Sequence, residues 1–305
     1  MPHRAGKRDR PAAPAGQGAC GVSGAPIILI GTHRSGTTWL GEVLSQHPRL
    51  AYSVEPRHVW TWGNSYTPDD VLTEAHATER VRAHIRNTFA RFVKAEGKDR
   101  LAEKTPSNCL RLRFIRAVYP EARILLVIRD GRSVLRSTDE ILARGVPWER
   151  ILTRARQTPI IEWPAYGRQA FGTIWRKVTR TKLNYWGPRP PGWREWLGSD
   201  STDLVMAKQW AGTIGRAIDD ADYLDSLGQG VFRFRYEDLM QRPRAMMTEI
   251  CDYAQLADPE PVIAFTEKTA DPTRSEKWRT ALDDDLLAMV RPHMEQTLTR
   301  LGYTW

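Results

Sequence analysis

The sequence of 305 residues contains only three cysteines, Cys20, Cys109 and Cys251, and they lie far apart. Cysteines that are scattered and odd in number form neither a paired metal cluster nor a disulfide framework, which favours a reducing compartment. There is no run of about eighteen apolar residues, so no membrane-spanning helix is predicted. The first two dozen residues also lack the apolar core of a secretory signal. We therefore expect a cytoplasmic protein with a disordered tail over residues 1–24.

Acidic residues are the scarcer charged class, with 36 Asp and Glu against 45 Lys and Arg, for a formal net charge of +9. This excess favours anionic partners such as nucleic acid, acidic lipid or a phosphorylated cofactor. Acids are absent altogether from Trp163 to Arg194, and the wider segment 163–210 is rich in Trp and Arg. Three interpretations stay open for that segment: a surface for single-stranded nucleic acid, a lid over sugars or aromatic rings, and an ordinary packed insertion.

Short apolar runs alternate with helical patterns along the chain. Such alternation predicts an α/β fold, a three-layer sandwich with a central parallel sheet. A hydrophobic content of 41% in this length supports one domain over residues 25–305, with an acceptor-binding insertion around 145–200. Ligands bind outside the carboxyl ends of parallel strands, so the polar segments that follow the strands should converge. These segments are 31–38, 55–58, 104–107, 129–137 and 236–238.

The segment after the first apolar run reads Gly31-Thr32-His33-Arg34-Ser35-Gly36-Thr37-Thr38-Trp39 and opens a helix. A glycine-bearing turn at a helix N-terminus presents backbone N–H groups at the positive end of the helix dipole, which suits an anion. Nucleotide triphosphatases have Gly-Lys-Ser/Thr at this spacing, whereas this chain has Gly36-Thr37-Thr38 and lacks the lysine. Arg34 supplies a cation from the other side of Gly36 instead.

A second anion site is predicted where Arg129 ends the buried apolar run 123–128 and Ser137 follows eight residues later. The guanidinium and the hydroxyl can reach the same anion. Asp130 lies where a nucleotide triphosphatase would hold Mg²⁺, but the cation directly before it favours a second anion over a metal. The pattern indicates a nucleotide held by phosphates at two places. A P-loop nucleotide kinase or NTPase, which would bind ATP with Mg²⁺, remains the alternative.

The first loop, the Arg129 to Ser137 spacing and Tyr236-Glu237-Asp238-Leu239 together resemble the sulfotransferases that use 3′-phosphoadenosine 5′-phosphosulfate (PAPS) and have a P-loop-like fold. The resemblance implies that the first loop holds the 5′-phosphosulfate and that a basic loop at 274–279 closes over the 3′-phosphate. The cofactor-binding residues that it implies are Arg34, Ser35, Gly36, Thr37, Thr38, Trp39, Arg129, Ser137, Tyr236 and Arg274.

The same resemblance implies the residues that carry the chemistry. Backbone N–H groups with Arg34 and Lys104 would stabilise the transferring group without a metal. Cytosolic sulfotransferases of small phenols use a histidine where this chain has Pro106, whereas protein-tyrosine and heparan-type enzymes use a glutamate after the first helix. Glu55 matches that glutamate and is the predicted general base, with His58 in reserve.

The expected activity is transfer of the sulfuryl group from PAPS to a hydroxyl of a small-molecule, carbohydrate or glycolipid acceptor. The second product would be adenosine 3′,5′-bisphosphate. No metal and no nucleic-acid partner is expected, and the sequence does not indicate an oligomeric state.

Overall fold

Strands and helices alternate along most of the chain that the structure describes. The computed structural model describes residues 24–144 and 187–305, with side chains described over 24–138 and 187–305. The predicted tail therefore lies almost wholly outside the described residues, and so does most of the predicted insertion. The five strands are β1 (Ile27–Ile30), β2 (Leu50–Val54), β3 (Arg100–Lys104), β4 (Arg123–Ile128) and β5 (Phe232–Arg235).

The described α-helices are numbered in chain order. Short 3₁₀ helices add Glu74–His76, Pro106–Leu110, Trp193–Trp196 and Pro272–Ser275. The α-helices are α1 (Thr37–Leu44), α2 (Arg57–Trp60), α3 (Glu79–Ala95), α4 (Leu112–Val118), α5 (Gly131–Arg144), α6 (Thr202–Ser226), α7 (Tyr236–Gln241), α8 (Pro243–Ala254), α9 (Glu260–Thr269), α10 (Trp278–Ala281) and α11 (Asp284–Arg300). In the described residues, no helix combines the length and the apolar character that crossing a membrane requires.

The five strands form one parallel sheet in the order β2-β3-β1-β4-β5. Alternate side chains of β1 enter different cores. Ile28 and Ile30 pack on the face covered by α3, α4, α6 and α11, whereas Ile27 and Leu29 pack on the face covered by α1, α8 and α9. Both faces are buried, as a parallel sheet requires. The predicted three-layer α/β sandwich with a central parallel sheet is confirmed.

The strand order decides which polar segments become neighbours at the carboxyl edge. The loop 31–36 leaves the central strand β1. We name the two flanks by their strands: Glu55 and Lys104 belong to the β2/β3 side, and Arg129, Ser137 and Tyr236 belong to the β4/β5 side. Two local details differ from the expectation. Lys104 is the last residue of β3 rather than part of the loop, and Tyr236 begins a helix directly after β5.

Candidate active site

The loop between β1 and α1 has the backbone of an anion site. Gly36 precedes the helix with a φ of 83°, in the left-handed region. A Cβ atom at this position would lie 2.3 Å from Cε2 of Tyr236. Both the left-handed backbone and the lack of room for a side chain therefore require glycine here. Helix α1 begins without a side-chain cap and has no acidic residue in its first turn. Its positive end is therefore suited to a negatively charged group.

Side chains inside the loop are tightly held. The hydroxyl oxygens of Thr32 and Ser35 are 2.5 Å apart, and Ser35 is fully buried. His33, in the same loop, is also buried. Burial, assisted by the charge of Arg34, lowers the pKa of His33 to about 4. The imidazole is therefore neutral at pH 7 and adds no charge to the loop.

The residues predicted for the two anion sites meet on the β4/β5 side. Arg34 Nε donates to Ser137 Oγ at 3.0 Å across 103 residues of sequence. Arg129 Nη1 donates to the Arg34 carbonyl at 2.8 Å, and Arg129 Nη2 donates to the Arg274 carbonyl at 2.9 Å. Burial lowers the pKa of Arg129. A buried guanidinium favours a nearby anion, because few water molecules compensate its charge.

Arg274 contacts the predicted 3′-phosphate site through its backbone. Its backbone carbonyl contacts Arg129, while its exposed guanidinium pairs with Asp271, Nε to Oδ2, at 3.1 Å. The loop that carries Arg274 thus lies at the predicted 3′-phosphate site, and its side chain is directed to a neighbour in the same loop. An exposed ion pair of this kind is weak.

Two aromatic rings line the same side. Trp39 and Tyr236 form an edge-to-face pair with ring centroids 6.3 Å apart. The indole N–H of Trp39 donates to Thr269 Oγ1 at 3.1 Å, and the Arg129 guanidinium lies 4.4 Å from the centre of the Tyr236 ring. The rings are therefore fixed in position by Thr269 on α9 and by Arg129 directly after β4, and they offer an apolar surface suited to a planar base.

On the β2/β3 side a carboxylate, an ammonium and a hydroxyl meet. Lys104 Nζ lies 2.8 Å from Glu55 Oε1 and 3.2 Å from Thr38 Oγ1. The Lys104 side chain is 2% exposed and that of Glu55 is 24% exposed. The φ of Glu55 is 51°, a left-handed conformation that is strained outside glycine. The backbone N–H of Glu55 donates to the Lys104 carbonyl at 2.8 Å, which keeps the two residues together.

Arg34 is predicted to serve both catalysis and cofactor binding, and its hydrogen bond to Ser137 places its side chain on the β4/β5 side. Its φ is 64°, so it shares with Glu55 a strained backbone of the kind found at functional sites. The reserve base, His58, lies on α2, where burial and His84 lower its pKa.

Two buried acidic residues near the β2/β3 side, Asp70 and Glu103, were not indicated by any sequence motif. Asp70 binds the guanidiniums of Arg57, Arg111 and Arg189. Burial raises the pKa of Asp70, but the three cations outweigh burial and hold the pKa well below its usual range. A lone aspartate in a loop gives no indication of three partners that lie up to 119 residues away.

The second buried acid, Glu103, precedes Lys104 in β3 and has no exposed surface. Its carboxylate accepts from Thr105 Oγ1 at 2.6 Å and from Asn108 Nδ2 at 3.0 Å. Burial raises the pKa of Glu103 to about 7, because an ionised carboxylate is poorly solvated in the core.

The sequence of this chain matches the model of the sulfotransferase family over residues 26–180. This segment is half of the chain, and the chain belongs to the sulfotransferase family. Membership of this family does not favour the kinase alternative.

The chain is also similar to individual curated relatives over part of its length. The chain is 30% identical to protein-tyrosine sulfotransferase 1 of Mus musculus over 37% of its own length and 33% of the relative. It is 29% identical to nodulation protein NoeE of Sinorhizobium fredii over 42% of its length and 34% of the relative. The matched segments span only 33% to 50% of the curated relatives.

Solved structures support the fold. The sulfotransferase domain from the curacin biosynthetic pathway superimposes with a TM-score of 0.55 at 14% identity, covering 92% of this chain and 98% of that domain. The sulfotransferase domain of the Synechococcus PCC 7002 olefin synthase gives a TM-score of 0.51 at 16% identity, covering 95% of this chain and 100% of that domain. At these identities the likeness establishes a common fold.

Proposed function

We propose that this chain transfers the sulfuryl group of PAPS to a hydroxyl group of an acceptor, with Glu55 as the general base. One observation carries the proposal. Lys104 Nζ lies within hydrogen-bond distance of both Glu55 Oε1, at 2.8 Å, and Thr38 Oγ1, at 3.2 Å. A carboxylate and an ammonium thus meet beside the first turn of α1, where the family holds the group to be transferred.

The residues on the β4/β5 side fit PAPS. The turn at Gly36 and the N-terminus of α1 suit the 5′-phosphosulfate, and the Cβ clash with Tyr236 leaves room only for glycine. Arg129 and Ser137 suit the 3′-phosphate, with Arg34 beside them. The paired rings of Trp39 and Tyr236 suit adenine. PAPS, when bound, supplies an activated sulfuryl group, which leaves adenosine 3′,5′-bisphosphate behind after transfer.

The residues of the β2/β3 side then have separate tasks. Glu55 accepts the proton of the acceptor hydroxyl, which must be lost as the new bond forms. Lys104 orients the Glu55 carboxylate and places a positive charge where negative charge develops during transfer. The strained backbone of Glu55, with a φ of 51°, and its hydrogen bond to the Lys104 carbonyl fix the direction of the carboxylate.

The proposed acceptor group is a hydroxyl of a small molecule, a carbohydrate or a glycolipid. The named relatives include a protein-tyrosine sulfotransferase, so a tyrosine peptide joins phenols and oligosaccharides in the acceptor panel. A single domain over 25–305 and a cytoplasmic location complete the proposal. The free thiols of Cys109 and Cys251, both buried, support a reducing compartment.

Ligand-induced stabilisation tests the cofactor. A ligand that binds the folded state must raise the melting temperature. We expect stabilisation by adenosine 3′,5′-bisphosphate in the presence of EDTA and none by ATP with Mg²⁺. Stabilisation by ATP with Mg²⁺ alone would refute the assignment to PAPS.

Exchange of Glu55 for glutamine tests the base. Glu55→Gln keeps the shape and removes the proton acceptor, so turnover should fall by a factor on the order of 100 or more. Affinity for adenosine 3′,5′-bisphosphate should stay near that of the wild type. Glu249→Gln, which changes an exposed carboxylate on α8 in the same way, is the matched control. Ordinary turnover in Glu55→Gln would exclude Glu55 as the base.

A further inference from the structure

Residues 303–305, which follow α11, lie against the segments directly after β4 and β5, where Arg129 and Tyr236 lie. The hydroxyl of Tyr303 donates to Glu237 Oε2 at 2.8 Å. The other oxygen of the same carboxylate, Oε1, accepts from the backbone N–H of Asp130 at 3.1 Å. The Glu237 carboxylate therefore connects Tyr303 to the backbone of Asp130. Asp130 directly follows Arg129, and Glu237 directly follows Tyr236.

A second connection runs through Arg132, whose side chain is 5% exposed. Arg132 binds Asp130 with two nitrogens, Nε to Oδ1 at 3.0 Å and Nη2 to Oδ2 at 2.7 Å, and Nη2 also donates to the Thr304 carbonyl at 2.9 Å. Its guanidinium lies 4.0 Å from the centre of the Trp278 ring and 5.3 Å from that of Trp305. Residues 304 and 305 thus share in holding a buried charge beside Asp130.

Buried charges are sensitive to the loss of any partner. A carboxylate or guanidinium removed from water keeps one orientation only while its hydrogen bonds are satisfied. Without the Tyr303 hydroxyl, one oxygen of Glu237 loses its donor, and the carboxylate becomes free to turn away from Asp130. Without the Trp305 ring, Arg132 loses an aromatic face that favours its position.

We infer that Tyr303 and Trp305 are positioning residues for the nucleotide half of the site. They hold Glu237 and Arg132, and through these they fix the segments after β4 and β5 that present Arg129 and Tyr236. The inference rests on the proposed function, because it assigns the β4/β5 side to the nucleotide. Glu55, directly after β2, and Lys104, at the end of β3, lie on the other side of the central strand, so the transfer step itself should be largely unaffected.

Calorimetric titration with adenosine 3′,5′-bisphosphate tests the inference on the full chain. Tyr303→Phe removes only the hydroxyl, and Trp305→Ala removes the ring. Tyr303→Phe should weaken the affinity roughly tenfold, the usual effect of one lost hydrogen bond to a charged group. Trp305→Ala should weaken it roughly three- to thirtyfold, because it removes one aromatic face of a buried cation–π contact. The KM for PAPS should rise by the same factor, while kcat stays within about twofold of the wild type. Trp305→Phe keeps an aromatic face over Arg132 and should recover most of the affinity.

Val290→Ala is the control for a merely structural effect, because Val290 is a fully buried residue of α11 outside these contacts. It should lower the melting temperature and leave the affinity unchanged. Wild-type affinity in Tyr303→Phe, or an equal loss of affinity in Val290→Ala, would overturn the inference while leaving the proposed function standing. A wild-type protein that does not bind adenosine 3′,5′-bisphosphate would overturn the proposed function and this inference together.

Discussion

Replacement of Gly36 by alanine tests the link between the first loop and the ring of Tyr236. Gly36 has a φ of 83°, and an added Cβ would lie 2.3 Å from Cε2 and 2.5 Å from Cδ2 of Tyr236. Real Cβ contacts stay beyond 3.0 Å, so the ring must move by roughly 0.7 Å, the difference between 3.0 and 2.3 Å. The movement disturbs two contacts of Tyr236, the edge-to-face pair with Trp39 and the guanidinium of Arg129.

The magnitude has two parts. A left-handed conformation of alanine costs about 1–2 kcal/mol. Weakening an aromatic pair and a buried cation–π contact adds about 1–3 kcal/mol. We therefore expect Gly36→Ala to lower the free energy of unfolding by about 2–5 kcal/mol and to weaken binding of adenosine 3′,5′-bisphosphate by about 10 to 100 fold.

Gly97→Ala separates the two parts, because Gly97 has a φ of 64° and an added Cβ there would have no atom of the described residues within 4 Å. It carries the backbone strain alone, and it should leave nucleotide affinity unchanged. Urea unfolding measures the stabilities, and calorimetry measures the affinities. In the Tyr236→Ala background the additional cost of Gly36→Ala should shrink to that of Gly97→Ala. If Gly36→Ala matches Gly97→Ala in both stability and affinity, the argument from the Tyr236 contact is wrong.

Two further predictions concern the buried acids. Folded Glu103 keeps its proton up to a pH of about 7, whereas the unfolded chain releases it near the ordinary pKa of 4.5. The free energy of unfolding of the wild type therefore falls as the pH rises from 4.5 to about 7. Urea unfolding at several pH values should show Glu103→Gln gaining up to about 3 kcal/mol over the wild type across this range; parallel pH profiles would contradict this. Asp70→Asn leaves three guanidiniums without their carboxylate and should lower the free energy of unfolding by about 3 kcal/mol. The control, Asp99→Asn, breaks an exposed pair with Arg49 and should lower it by under about 1 kcal/mol in the same assay.

The fold class could be predicted because local patterns decide it. Each apolar run was followed by a helical pattern, and β4 was apolar on both faces, as only a strand buried in a parallel sheet needs to be. The family could be predicted because each of its motifs is a short segment that directly follows one strand. The spacing of residues within such a motif can therefore be read from the sequence. Threonine at position 37, where a nucleotide triphosphatase has lysine, distinguishes this loop from that of a nucleotide triphosphatase.

The contacts between the motifs could not be predicted in the same way. The hydrogen bond from Arg34 to Ser137 and the contact of Arg129 with the Arg274 carbonyl join residues more than 100 positions apart. Their geometry depends on strand order and on the packing of α5 against the central loop. Lys104 likewise reaches Glu55 and Thr38 because β3 lies between β2 and β1 in the sheet.

Sequence alone therefore determined the class of fold, the family and the set of candidate residues, since these follow from local composition and spacing. Only the tertiary structure decided which partner each residue has. Asp70, Glu103 and Tyr303 show the reason: each is an ordinary residue in its local sequence, and its role arises from burial and from charges that the folded chain brings to it. Burial and long-range electrostatics are properties of the packed molecule, and no short motif encodes them.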